Sequence, residues 1–225
     1  MTKLQDLHVL ILGLGLSGLA MARWCAGQGA RVTVADTRDA RPQLAALQEQ
    51  VPHARFVHGP MDAALVDDDS LCAVYRSPGL APATIAGAVD AARARGLPVR
   101  GELDLFAQAL SELKQQDGYQ PAVLAITGTN GKTTVTALAG QLVQRAGRSA
   151  VVAGNIGPSL LDTLQVRLHY QDLPQVWVLE LSSFQLEASD GFEPDAATVL
   201  NLTQDHLDWH GDMDAYAAAK ARVFG

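Results

Sequence analysis

The chain has 225 residues, 48% of them hydrophobic and 18% charged, with a formal net charge of −7. That apolar share supports a packed core and excludes a disordered chain, and the length suits one large or two small α/β domains. The acidic balance, with a pI near 5.2, argues against a nucleic-acid binder, so any anionic ligand must be held by backbone amides and single cations. The two cysteines, Cys25 and Cys72, show no disulfide or zinc spacing, which fits a reducing cytoplasmic setting. No stretch reaches the ~18 uninterrupted apolar residues of a membrane span.

Short apolar runs alternate with alanine-rich helical segments. HVLIL (8–12), RVTVAD (31–36), LCAVYR (71–76) and LPVR (97–100) read as strands. Helical patterns cover 18–28 and lie around 40–50, 82–95 and 102–115. Such alternation predicts a parallel sheet covered on both faces. KQQDGYQP (114–121), polar and carrying Gly118 and Pro121, reads as a linker. A second series follows, with strands at 122–126, 149–153, 175–180 and 196–200 and helices at 131–146 and around 212–224. The expected architecture is α/β: a Rossmann-like domain over 1–115, then the first part of a P-loop-type α/β domain over 121–225. The second series ends straight after a helix at Gly225 with about four strands, a thin sheet that suggests a truncated product.

Two glycine loops stand out. Gly13-Leu14-Gly15-Leu16-Ser17-Gly18 follows a strand and opens a helix. Its glycines suit a tight turn, close approach to a phosphate, and close helix–strand packing. The helix N-terminus offers free amides to a diphosphate. Asp36 closes the next strand, where an acid could accept from a ribose hydroxyl. These residues alone suit an NAD-type site, another nucleotide site, or a βαβ turn whose glycines serve packing.

The second loop is G-T-N-G-K-T, Gly128 to Thr133, between a strand and a helix. It departs from a full Walker A loop because Ile126 stands where the first glycine would be. The amides from Thr129 to Thr133 can still nest around phosphate oxygens, and ATP binding is expected over Gly128, Thr129, Asn130, Gly131, Lys132, Thr133 and Thr134. Lys132 can reach the β- and γ-phosphates, and the Thr133 hydroxyl can ligate Mg²⁺. A dehydrogenase needs only the first cradle and an ordinary ATPase only the second. An enzyme that activates a nucleotide-tagged substrate with ATP needs both.

Taken with GNIG (154–157), ELSSFQLE (180–187), NLTQDHLDWHG (201–211) and AYAAAKARVF (215–224), the ATP-type loop resembles the blocks of the Mur ligases, in that family's order. ELSSFQLE, GLGLSG, VADTR and SPG (77–79) are similar to the branch that joins D-glutamate to UDP-N-acetylmuramoyl-L-alanine. The resemblance implies an ATP-dependent amide-bond ligase of peptidoglycan precursor synthesis, cytoplasmic, monomeric and working through an acyl phosphate. It implies UDP rather than NAD at the first cradle, held by Gly15, Leu16, Ser17 and Ser77, with Asp36, Thr37 and Arg38 beside the uracil. It implies substrate contacts from Asn155, Ser182, Ser183 and Gln185, and catalytic roles for Lys132, Glu180, His206 and Lys220.

Two Mg²⁺ ions are expected on Thr133, Glu180, His206 and Lys220, the last as a carbamate made with CO₂. A carbamate turns a cation, which cannot bind Mg²⁺, into an oxygen donor, and it needs a partly buried lysine beside other cations. Asp205 could orient His206, while His210 receives no role. Partners are thus the UDP-sugar peptide, ATP and glutamate, with no nucleic acid and no membrane insertion. The family carries a further glutamate-binding domain absent here, so this polypeptide is expected to bind the UDP substrate with little ligase activity. Two other readings stay open: a non-catalytic UDP-sugar-binding module, and an NAD-dependent oxidoreductase that leaves 124–134 without a job.

Overall fold

A computed structural model describes residues 4–40 and 42–225. The chain divides into two compact units, Met1–Leu105 and Phe106–Gly225.

The first unit holds β1 (His8–Leu12), α1 (Leu16–Gly27), β2 (Arg31–Asp36), α2 (Leu44–Gln50), β3 (Arg55–His58), β4 (Leu71–Arg76), α3 (Pro82–Ala94) and β5 (Val99–Arg100). All strands run parallel, in the order β3-β2-β1-β4-β5. All five residues of β1 are buried, as a strand covered on both faces requires. In α3, Ile85, Ala88, Val89 and Ala92 are buried at helical spacing and pack on Leu10, Leu12 and Val74 of the sheet. The chain winds outward to β2 and β3 and then crosses to β4, so the order reverses at β1. Ligands of such sheets bind outside the strands' C-terminal ends at that reversal, where the Gly13–Gly18 loop lies.

Helix α4 (Glu102–Asp117) leads into the second unit, which continues with β6 (Ala122–Thr127), α5 (Lys132–Arg145), β7 (Ala150–Gly154), α6 (Leu160–Tyr170), β8 (Val176–Glu180), α7 (Ser183–Glu187), β9 (Ala196–Val199), α8 (Leu207–His210) and α9 (Met213–Ala221). Its strands are also parallel, in the order β7-β8-β6-β9. The order reverses at β6, so the Gly128–Thr133 loop occupies the equivalent place. Trp177 of β8 is fully buried. It meets Phe106 edge-on at 5.1 Å and donates from its indole nitrogen to the Tyr119 hydroxyl at 2.9 Å.

Two sequence expectations need correction, and two elements gave none. The polar stretch 114–121 is half helix, because α4 runs to Asp117. The strand expected over 97–100 shrinks to Val99–Arg100. Strand β3 carried no clear signal: Arg-Phe-Val-His is a four-residue edge strand with polar ends. Helix α6 was also passed over, although Ser159 caps it through the Asp162 amide and Leu160, Leu161 and Leu164 are buried. Cys25 and Cys72 are both free thiols.

Candidate active site

In the first unit the three glycines meet three different demands. Gly13 has φ of +90°, which disfavours other residues. A Cβ on Gly18 would stand 1.9 Å from the Gly13 carbonyl oxygen, so α1 can pack this close only with glycine there. Gly15 is different: nothing lies within 4 Å of its would-be Cβ. Neither packing nor a positive φ requires a glycine at 15, and the open space is what a close-approaching ligand would use.

The loop is tied down by an acid and an arginine. The buried Asp36 carboxylate accepts from the Leu14 amide at 2.6 Å and from the Arg38 amide at 2.9 Å. It also accepts from Arg38 Nε at 3.0 Å and from a terminal guanidinium nitrogen at 2.7 Å. That nitrogen also donates to the Leu14 carbonyl at 2.8 Å, closing a latch between β2 and the loop. Burial works against the charged carboxylate, but the bonds from Arg38 and Leu14 outweigh it and hold Asp36 down at about 2. Ser77, also buried, donates to the Gly13 carbonyl at 3.0 Å. Leu16 stands 71% exposed at the start of α1, beside the half-buried Ser17. Thr37 is exposed.

The second unit gathers its candidates at the C-terminal ends of its four strands. Glu180 ends β8, in register with Gly154 of β7 on one side and Ile126 of β6 on the other. Its carboxylate is 1% exposed. Oε1 accepts from Asn155 Nδ2 at 3.1 Å, while Oε2 is buried with no partner. A buried carboxylate oxygen without a donor is costly, and a cation would satisfy it. Gly154 is obligatory beside it: φ is +120°, and a Cβ would lie 2.2 Å from the Glu180 carbonyl oxygen.

The loop after β6 is clasped by the segment after β9. Asn201 accepts from the Asn130 amide at 2.9 Å and donates to the Asn130 carbonyl at 3.0 Å. The Thr203 amide donates to the Thr129 hydroxyl at 3.0 Å, and Tyr216 Oη lies 3.1 Å from that hydroxyl. Gly131 takes φ of +80° and starts α5 with no side-chain cap, and Gly15 starts α1 in the same uncapped way. Ser159, Ser182 and Asp212 cap α6, α7 and α9, while α2, α3 and α8 also lack a side-chain cap; what sets the α1 and α5 starts apart is that each lies at a sheet reversal. Free amides at the start of α1 and α5 suit an anion. The Thr133 and Thr134 side chains are exposed on the first turn of α5.

Two lysines converge on one oxygen. Lys132 Nζ donates to the Gly128 carbonyl at 2.9 Å and the Thr129 carbonyl at 2.9 Å. Lys220 Nζ, on α9, donates to the same Gly128 carbonyl at 2.9 Å and lies 4.7 Å from the Tyr216 ring centre. Lys220 is 2% exposed. Burial, and then the charge of Lys132, pull its ammonium down to about 8.

His206 starts α8 in the left-handed conformation, φ 52°, with its ring half exposed and Nε2 3.4 Å from Asp205. Ser182 and Gln185 form a capping box on α7, so the Ser182 hydroxyl and the Gln185 carbonyl oxygen are spent on the helix end. Asn201, Thr203, Tyr216 and His210 drew no role from the sequence reading, and Ser183, expected near the substrate, instead pairs with His210. Asn201 and Thr203 follow β9 directly within NLTQDH, and only pairing with a distant loop reveals them.

Comparison with known proteins now decides the family. Residues 7–101 match the model of the Mur ligase MurD-like, N-terminal domain, and residues 126–225 match the Mur ligase middle domain. The chain belongs to the Mur ligases, in their MurD-like branch. A UDP-N-acetylmuramoylalanine–D-glutamate ligase of Albidiferax ferrireducens is 65% identical over 225 residues, covering 100% of this chain and 44% of that protein. One of Ralstonia nicotianae is 61% identical over 219 residues, covering 96% of this chain and 44% of its own length. The MurD-like chain thus spans about 44% of the length of these curated relatives. Among solved structures, a murein peptide ligase from Psychrobacter arcticus shares the fold, with a TM-score of 0.51 at 19% identity over 98% of this chain and 47% of that one. No helix among the described residues is long and apolar enough to cross a membrane.

Proposed function

We propose that this Mur ligase chain supplies the UDP-substrate cradle and the ATP cradle of an enzyme that adds D-glutamate to UDP-N-acetylmuramoyl-L-alanine. Residues 1–115 hold the UDP substrate, and 121–225 hold ATP and the reacting carboxylate. The observation that carries the reading is the pairing of two uncapped helix starts, each at a sheet reversal, in one chain. The activity of its relatives supplies the substrates.

The reaction needs a carboxylate made into a good acyl donor. The terminal carboxylate of the L-alanine becomes an acyl phosphate, and the glutamate amine then displaces phosphate. The α5 amides and Lys132 bind and orient the transferring phosphate. In the bound state Lys132 Nζ exchanges its two loop carbonyls for phosphate oxygens. Asn155, held by Glu180, orients the reacting carboxylate.

Mg²⁺ fits this site. Glu180 Oε2 is a buried, unpartnered carboxylate oxygen, and the Thr133 hydroxyl is open on α5. Among the described residues no three His, Cys, Asp or Glu side chains form a ligand cluster. A Mg²⁺ here would draw its remaining ligands from phosphate and water, as this ion commonly does. Thr133 and Glu180 would hold one ion, and His206, oriented by Asp205, and Lys220 the other. The ions supply neutralisation of phosphate charge. The depressed Lys220 ammonium, buried beside Lys132, supports its conversion to a carbamate oxygen donor: the neutral amine adds to CO₂ and loses a proton.

The NAD reading loses ground on the Asp36 latch. Both oxygens of that carboxylate already accept two protein bonds each, leaving no acceptor capacity for a ribose hydroxyl. Calorimetric titration with UDP-N-acetylmuramoyl-L-alanine and, in parallel, NADH tests the assignment. Binding of the muramoyl nucleotide alone is expected. Binding of NADH alone would overturn it.

A further inference from the structure

His210 has no part in the reading above, yet it joins two elements that carry functional candidates. Its Nε2 lies 2.9 Å from Ser183 Oγ, and one of the pair donates. Ser183 is 2% exposed and opens α7, three residues after Glu180. The His210 ring stacks on Phe184 at 5.6 Å with an interplanar angle of 3°. Phe184 also packs against the His206 ring at 4.7 Å and against Trp209 at 4.9 Å. On the backbone, the amides of Trp209 and His210 donate to the His206 carbonyl at 3.1 and 3.0 Å.

His206 itself sits in a left-handed backbone conformation without being glycine. Such a residue persists only where its surroundings over-determine it. Helix α8 has only four residues and buries none of them, so it cannot hold that turn by its own packing. The ring contacts to Phe184 and the bond to Ser183 are what tie it to α7.

We propose that His210 is a positioning residue: its bond to Ser183 and its stack on Phe184 clamp the α8 turn onto α7, and this fixes His206 for cation binding. The proposal rests on the assignment of His206 as a metal ligand. The nearest groups on the packed elements are Ser183, Phe184 and Glu187 of α7, Tyr216 and Lys220 of α9, and Asp208 beside it. The bond to Ser183 needs only one ring nitrogen and one hydroxyl, so the clamp does not depend on a charged imidazole.

The test is Mn²⁺ affinity of the 225-residue chain, read by electron paramagnetic resonance with a non-hydrolysable ATP analogue at saturation. His206→Ala sets the scale. His210→Ala and Ser183→Ala are each expected to weaken Mn²⁺ about 10-fold, the low end for partners that orient metal ligands. The double variant should lose no more than His210→Ala alone, since that change already removes the bond that Ser183→Ala removes. His210→Gln places an amide near the position of Nε2 and should restore affinity to within about 3-fold of the original. Ser183→Ala deletes one hydroxyl and guards against a His210→Ala chain that fails to fold. If His206→Ala weakens Mn²⁺ while the Ser183 and His210 variants do not, or if their losses add, the clamp is overturned and the metal reading stands. If the unmodified chain binds no Mn²⁺, or His206→Ala changes nothing, the metal reading itself fails and the clamp with it.

Discussion

The two glycine loops occupy the same place in two parallel sheets, yet they are built to opposite electrostatic plans. The loop after β1 is locked by an ion pair that consumes its own charges: Asp36 and Arg38 satisfy each other and the Leu14 backbone. The loop after β6 carries two ammonium groups on one carbonyl, with a partnerless carboxylate oxygen at the end of the adjacent strand. The charged groups of the first loop already pair with each other and with its backbone. The second has charges that its own atoms leave unbalanced, and a phosphate with its cations would balance them. Under the proposed function, binding and chemistry fall to two copies of one architectural idea.

The largest expected effect lies in the first loop's packing. Gly18→Ala drives a Cβ into backbone that cannot move aside, and should cost about 3 kcal/mol in a denaturant melt, near the upper end for overpacking. Gly15→Ala, where the space is open, should leave stability within about 0.5 kcal/mol. It should nevertheless weaken binding of the UDP substrate in calorimetry. If Gly15→Ala is as destabilising as Gly18→Ala, the open space belongs to the fold and not to a ligand.

Lys132→Ala should weaken an ATP analogue about 10- to 100-fold, the worth of one charged hydrogen bond, and leave the UDP substrate within about 2-fold. Equal losses at both ligands would erase the division of labour between the loops.

Asp36→Asn should destabilise the chain by about 2 kcal/mol near neutral pH. The carboxyl sits at about 2 in the fold against an ordinary 3.8. Its contribution is therefore full above pH 4 and is lost as pH falls from about 4 through about 2. The difference in melting between parent and variant should shrink over that window. A difference independent of pH would mean that Asp36 acts by shape rather than charge.

The smallest effect is set by His8, at the opposite end of β1 from the loop. Its ring bridges Ser70 and Thr33, each at 2.9 Å. Burial chiefly lowers its pKa below the usual 6.5, against the pull of Asp68. A depressed histidine favours the neutral form in the fold, so stability should decline slightly as pH drops below 6.5. His8→Asn should flatten that decline in urea melts at pH 5 and 7. It should not change nucleotide binding at either loop.

Most of the fold was legible because buried parallel strands and amphipathic helices announce themselves locally. HVLIL and WVLEL read as strands because both faces are covered, and every residue of β1 and β8 is indeed buried. The exceptions are instructive. Strand β3 lies at a sheet edge, where polar residues are tolerated and the apolar signal fades. Residues 114–121 looked like a linker because they are polar, yet helix α4 tolerates polar residues on its exposed last turn.

The site divides in the same way. Gly13, Gly18, Gly128 and Lys132 were visible from sequence because a phosphate cradle is a local device: strand, turn and helix are contiguous, and the spacing of a few residues carries it. What depends on distant chain segments was not visible. Asp36 looked like a ribose acceptor until Arg38 and Leu14 were seen to fill both its oxygens. Lys220 drew its role from the family resemblance alone until α9 was seen to bury it beside Gly128, and His210 had no role until it met Ser183. Local pattern was enough for the two parallel sheets, the two loops and the family resemblance. Which charges are neutralised and which are left waiting was settled by the fold, because burial and the partners that elements such as α9 and the segment after β9 bring in are not set by neighbouring residues.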